Sequence, residues 1–193
     1  MKLFFSEPDL QPNLNLLMMK KTILTFGTIA GIIVTAMMVF SSYQLYHNQE
    51  EFEPNAVVGY LSMLVAFSFV FVGIRNYRNK HNGGVITFGK AFKIGFLIAL
   101  IASFFYVGVW LVEYYYFIPD FMDKYVDFVV NQAKAEGLTA AQIQAKTQEM
   151  EMYKEWYRSP VLVVLLTFSE ILPLGIVVAL ISALILKRKA ITA

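Results

Sequence analysis

The chain has 193 residues, 58% of them hydrophobic, a mean hydropathy of +0.56 and a formal net charge of only +2. A soluble domain is usually about 45–50% apolar, so the excess needs a non-aqueous home. There is no cysteine, which excludes disulfides, thiolate chemistry and thiolate metal sites.

Residues 1–17 (MKLFFSEPDLQPNLNLL) mix Phe, Pro, Asn and acids without periodicity, whereas Met18-Met19-Lys20-Lys21 resembles a start. Residues 1–21 are therefore read as an N-terminal segment whose first seventeen residues are an added, dispensable start. Residues 22–189 are read as one membrane domain. It contains four long apolar runs: Thr22–Phe40, Ala56–Ile74, Ile94–Val112 and Pro160–Leu186. A helix needs about 20 such residues to cross a hydrocarbon core about 30 Å thick. A secretory signal is the alternative for the first run, but its apolar stretch would be only about 7–15 residues long. The run continues through Met37, Met38 and Phe40, so a retained anchor is favoured.

The segments between the runs alternate in charge. Lys20 and Lys21 precede the first run, Arg75, Arg78, Lys80, Lys90 and Lys93 surround the second connection, and Lys187, Arg188 and Lys189 follow the fourth run. Glu50, Glu51 and Glu53 lie in the first connection, and the long third connection carries seven acids against five bases. Lys and Arg collect on the cytoplasmic side of membranes. The expected fold class is thus an all-α membrane protein with four transmembrane helices and both termini inside. The basic clusters are ordinary topology determinants on this reading, and neither a nucleic-acid partner nor a cofactor is expected.

Each run carries a stripe of small residues at helical spacing. Gly27 and Gly31 mark the first, Gly95 the third and Gly175 the fourth, after Pro173. Small residues let membrane helices approach closely, so these glycines are read as packing positions in a compact bundle. Run two sets Gly59, Ser62, Ala66 and Gly73 on one face.

Tyr43, Tyr46, Tyr60, Trp110, Tyr114, Tyr115, Tyr116, Trp156 and Tyr157 crowd the outer boundary and are read as a headgroup-level belt. Within residues 114–159, Pro119 opens a helix to about Lys134 that ends near Glu136-Gly137. Thr139-x-x-Gln142 then resembles a capping box for a second helix. An extracytoplasmic helical hairpin follows from this pattern.

Glu170 is the one formal charge inside a run, slightly outward of its centre. An intramembrane carboxylate is by default a functional candidate, carrying a proton or binding a cation. The competing reading is a protonated acid hydrogen-bonded for packing alone. Thr35, Ser62, Ser103 and Tyr106 fall at a similar depth and are its candidate partners. On a straight helix Glu170 points away from Gly175 and Ala179, so either Pro173 rotates the halves or one face packs inside the monomer and the other meets a second copy. Glu113, on the Tyr106 and Trp110 face of run three, is expected to be wetted at the interface.

Gly84-x-x-x-x-Gly89-Lys90 imitates a phosphate-cradling loop, but Ala91 replaces the Ser/Thr and no strand leads in. A tight turn at Asn82-Gly83-Gly84 is expected instead, with Lys90 and Lys93 reaching to water. His47 and His81 lie on opposite sides and cannot share a metal.

Two stretches carry a resemblance. NYRNKHNGGVITFGKAFKIG at 76–95 is one, and SEILPLG at 169–175 with SALILKRK at 182–189 is the other. They resemble a bacterial family of small four-helix membrane proteins catalogued only as a domain of unknown function. The resemblance implies an inner-membrane, multi-pass setting and no activity. Expected partners are the lipid bilayer and either a second copy of the chain or another membrane or envelope protein. The role expected first is non-enzymatic, through the outer hairpin. The alternative is a small transporter or channel component using Glu170.

Overall fold

The computed structural model describes residues 10–47 and 56–189. The acidic cluster Glu50, Glu51 and Glu53 and most of the proposed added start, residues 1–9, lie outside these residues. The elements are α1 (Leu10–His47), α2 (Ala56–His81), α3 (Phe88–Val112), a π-helical turn (Glu113–Phe117), α4 (Phe121–Ala135), α5 (Ala140–Trp156) and α6 (Pro160–Leu186). Four helices are long and apolar enough to cross a membrane, over Asn13–His47, Gly59–His81, Phe88–Phe117 and Pro160–Leu186.

The helices begin and end where local chemistry dictates. The Thr87 side chain accepts from the Lys90 N–H to cap α3, and Pro160 occupies the first turn of α6, where its missing N–H costs nothing. Gly83 and Gly84, at φ +60° and +77°, turn the chain out of α2, a conformation that a Cβ would oppose. Residues 10–17 are helical and continuous with α1, contrary to the aperiodic segment expected. Their Asn15 carbonyl accepts from the hydroxyl of Tyr77 of α2, a fully buried residue, at 3.5 Å.

The spans form a four-cornered bundle. Helix α1 packs on α2 and α3, α6 packs on α3 and α2, and α2 meets α3 across the middle. Helix α3 is the most enclosed, with Ala91, Ile94, Ile98, Ala99 and Ala102 at zero exposure. Large apolar side chains such as Leu24, Ile32, Val65, Phe104, Leu165 and Ile185 face outward, where lipid replaces water as their solvent.

Glycines set the close approaches. A Cβ on Gly27 or Gly31 would lie 2.8 Å from Ile101 or Phe105 of α3. One on Gly95 would meet Ile74 at 2.9 Å, and one on Gly175 would meet Ala99 at 2.8 Å. Gly73 is equally crowded by Ile98, whereas Gly59 has open space around it and takes no part in packing. Helix α6 buries Val163, Thr167, Ile171, Gly175, Ala179 and Ala183 as one stripe, with Glu170 on the flank of that stripe.

At the end that collects Lys20, Lys21, Arg75, Arg78 and Arg188, the α2–α3 connection is pinned to the chain after α6. Ile86 and Arg188 exchange two backbone hydrogen bonds of 3.0 and 2.9 Å. Arg78 donates to the Leu186 carbonyl at 3.1 Å. Lys93 is exposed, but Lys90 does not reach to water as expected. It folds back to donate to Asn82 Oδ1 at 2.7 Å and lies 4.9 Å from the Tyr77 ring centre, because a desolvated ring and an amide oxygen satisfy its charge nearby.

The opposite end carries the hairpin. Helix α4 turns into α5 at Gly137, φ +73°, and Thr139 with Gln142 completes a reciprocal capping box. Lys154 and Asp123 join α5 to α4 at 2.5 Å. The boundary aromatics divide into two sets. Tyr43, Tyr60, Tyr115 and Tyr116 are exposed in the manner of a belt. Trp110 and Tyr114 instead form a second core with Met122 and Val163, packed by Phe121, Tyr125 and Tyr157.

Candidate functional site

The polar side chains of the spans concentrate in the half of the bundle beneath the hairpin. Tyr106, Trp110 and Glu113 recur at i, i+4 and i+7 on α3, so they share one face. Thr35, Ser42 and Tyr46 run alongside on α1, and Glu170 approaches from α6.

Glu170 is exposed on the protein surface and directed at a group of tyrosines. Tyr106 of α3 and Tyr157 and Tyr125 of the hairpin lie near enough to feel its charge. Burial, reinforced by Glu170, pushes the Tyr157 hydroxyl up to about 12, and burial also raises Tyr125. Both phenols therefore keep their protons at neutral pH.

The other partners proposed for Glu170 do not join it. Ser103 is buried and donates to the Ala99 carbonyl of its own helix at 2.9 Å. Ser62 donates to the Gly59 carbonyl at 2.6 Å. A serine in a membrane helix commonly satisfies itself this way, which removes it from the pool of free donors. The Thr35 hydroxyl oxygen is buried and has no hydrogen-bond partner.

Glu113 corrects the expectation of a wetted interface residue. It is only 9% exposed, and Ser42 Oγ lies 2.5 Å from its Oε1. The cause is local: the chain leaves α-helical geometry at this residue, the Ile118 N–H bonding the Glu113 carbonyl at 3.0 Å, five residues back. The wider π turn brings both Glu113 and Tyr114 inward. Its second oxygen, Oε2, is buried without a hydrogen-bond partner, and the buried indole N–H of Trp110 faces the Tyr157 hydroxyl.

One turn beyond Ser42, the Tyr46 hydroxyl donates to Asp120 at 2.6 Å, and Lys124 sits 3.4 Å above the Tyr46 ring. The Tyr46 hydrogen bond holds the Asp120 carboxyl below its ordinary range, and Lys124 adds to that. On the far side of the hairpin, the hydrogen bond to Asp123 raises Lys154. The Tyr46 contacts attach the hairpin to the bundle, and the Lys154–Asp123 pair ties its two helices together.

Among the described residues no group of three or more His, Asp or Glu side chains is placed to hold a metal ion. His47 and His81 end α1 and α2 at opposite ends of the bundle. An open groove between α1 and α2 at the basic end is lined by Lys21, Thr22, Asn76 and His81.

An all-α fold with four membrane-length helices and a capped hairpin defines a multi-span membrane protein. Residues 25–188 match the family described as "Protein of unknown function (DUF4199)", and the chain belongs to that family. No curated protein and no solved structure matches it.

Proposed function

We propose that this is a non-enzymatic integral protein of the bacterial cytoplasmic membrane, with both termini inside, that binds a partner through the α4–α5 hairpin on the outer side. The observation that carries the reading is how the hairpin is built. Its apolar face, Met122, Val126, Ala133 and Met150, is closed inward, the Lys154–Asp123 ion pair joins its two helices, and the Tyr46–Asp120 contact holds it to the bundle. Its remaining surface, including Asn131, Gln144, Glu149 and Glu151, is open. A rigid, polar, positioned surface is what recognition needs, because little ordering entropy is then lost on binding. The orientation rests on the gathering of bases at the opposite end.

The test is a photo-crosslinking amino acid placed at Gln144 or Glu151 in living cells. Discrete adducts are expected at these positions and not at outward-facing Ile185. Adduct mass separates a second copy from another envelope protein. Adducts at no hairpin position, with the protein present at normal level, would overturn the reading.

The Glu170–Tyr106 pairing supports a second reading, a small transporter or channel component. Its test is proton or cation flux in vesicles that Glu170→Gln abolishes. Absence of such flux across imposed gradients counts against it.

A further inference from the structure

The groove between α1 and α2 at the basic end serves neither the hairpin nor the closing of the bundle. It has a volume of about 230 Å³. It lies where α1 passes from Lys21 into its apolar run and α2 leaves its own at Asn76. On α1 the wall is Met18, Lys21, Thr22 and Thr25, whose spacing of three and four residues sets them on one helical face. Asn76 and His81 of α2 form the opposite wall. A water takes about 30 Å³ in the liquid, so the space suits a small, partly hydrated polar group.

The polar atoms of the groove are donors without an anion of their own. Thr22 gives its hydroxyl proton to the Met18 carbonyl at 2.8 Å. Among the described residues, the side chains of Lys21, Thr25 and Asn76 have no hydrogen-bond or ion-pair partner. Every carboxylate of the described residues lies between Glu113 and Glu170, toward the hairpin end, and the ion pairs lie there too. Lys20 and Arg75, next to the lining residues in the chain, are exposed and add to the positive charge. Deeper along the same two faces the surface turns apolar. Ile29 and Ile32 follow Thr25 at i+4 and i+7, and Val72 and Phe69 precede Asn76 at i−4 and i−7. Ile32 is 56% and Val72 43% exposed, so this track is open to lipid.

We propose that the groove binds the phosphate headgroup of an anionic phospholipid, with Lys21, Thr25, Asn76 and His81 on the phosphate and the acyl chains along Ile32 and Val72. Basic pockets between membrane helices suit such headgroups. An ammonium on one phosphate oxygen, with neutral donors on the others, makes charge-assisted hydrogen bonds stronger than neutral ones. A zwitterionic lipid carries the same phosphate but adds an ammonium, which Lys20 and Arg75 repel. Free phosphate offers the same oxygens without chains, and so forgoes the apolar track that continues the groove. The site goes beyond the hairpin reading and does not depend on it. Binding to the purified chain requires no particular orientation in the membrane.

The experiment is a native mass-spectrometric titration of the full purified chain, in non-ionic detergent, with dioleoyl phosphatidylglycerol, dioleoyl phosphatidylcholine or inorganic phosphate. One phosphatidylglycerol is expected to bind about fivefold more tightly than phosphatidylcholine, the factor that one basic residue contributes beside anionic lipid. Lys21→Gln is expected to lose that preference. Lys93→Gln removes an equal charge from the same end but outside the groove, and it is expected to leave binding unchanged. Asn76→Leu alters no charge and is expected to weaken phosphatidylglycerol binding all the same. Thr25→Val, at an exposed position, decides the matter if Asn76→Leu does not accumulate. Inorganic phosphate is expected not to displace the lipid. Equal affinity for the two lipids, or equal losses in Lys21→Gln and Lys93→Gln, would overturn the proposal. Displacement by inorganic phosphate would overturn the lipid as occupant in favour of a free anion.

Discussion

At the scale of single residues, Glu170 and Tyr106 make the sharpest comparison. Glu170→Gln keeps the size and a hydrogen-bonding head, whereas Glu170→Leu removes a polar group that faces the buried Tyr106. A stranded buried polar group costs about 1–3 kcal/mol. The melting temperature in detergent should therefore fall for Leu and stay near wild type for Gln. Equal losses in both would show that the carboxylate itself stabilises the bundle. Asp120 gives a pH prediction with a definite sign. Its folded value is depressed, so its contribution is present above the unfolded value, about 3.9, and is lost as pH falls through the lower folded value. Because Trp110 packs edge-on against Phe121 of α4 at 5.0 Å, its fluorescence in a Trp156→Phe background should report the hairpin loosening in acid. Asp120→Asn should show the loosened signal at neutral pH already. An Asp120→Asn signal at neutral pH identical to wild type would remove Asp120 as an anchor.

At the scale of helices, glycine contacts and caps are separable. Gly31→Ala forces a Cβ to within 2.8 Å of Phe105 and should cost about 1–3 kcal/mol as overpacking. Gly59→Ala, with nothing near it, should be neutral or stabilising by up to about 1 kcal/mol. Equal melting temperatures for the two variants would contradict the packing geometry. Thr139→Ala removes half of the capping box and should cost α5 about 1 kcal/mol. Faster amide exchange confined to the start of α5 is the expected readout. Much of this level was legible in the chain, because apolar run length, Pro160 and the Thr139–Gln142 spacing are local signals. The helical state of residues 10–17 was not, because the stretch has no apolar periodicity of its own and simply continues α1. The burial of Glu113 was hidden for a similar reason: a π turn has no periodicity signature, and a carboxylate at a span's end ordinarily reads as wet. The tyrosines of the belt could not be sorted from those under the hairpin, since both kinds obey the same preference for the interface.

At the scale of the whole molecule, charge separates the two ends, and topology is the property to test. Single cysteines at Lys80 and Lys189 should resist an impermeant reagent in intact cells, while one at Lys146 should label. Glu51, expected on the same side as Lys146, lies outside the described residues. Labelling at Lys80 would invert the proposed orientation. The absence of native cysteine makes this measurement free of background.

The backbone bridge between Ile86 and Arg188 has a consequence in the order of synthesis. The α2–α3 connection leaves the ribosome about a hundred residues before its partner strand does, so its Ile86 N–H and carbonyl wait while α3, the hairpin and α6 are made. The Arg78 guanidinium waits likewise for the Leu186 carbonyl. The basic end of the bundle is thus latched last, and only if α6 has threaded the membrane in the correct sense. A chain that stalls before Arg188, or whose fourth span fails to insert, presents an unlatched turn on one face of the membrane. Completion of the protein is in this way visible from a single side.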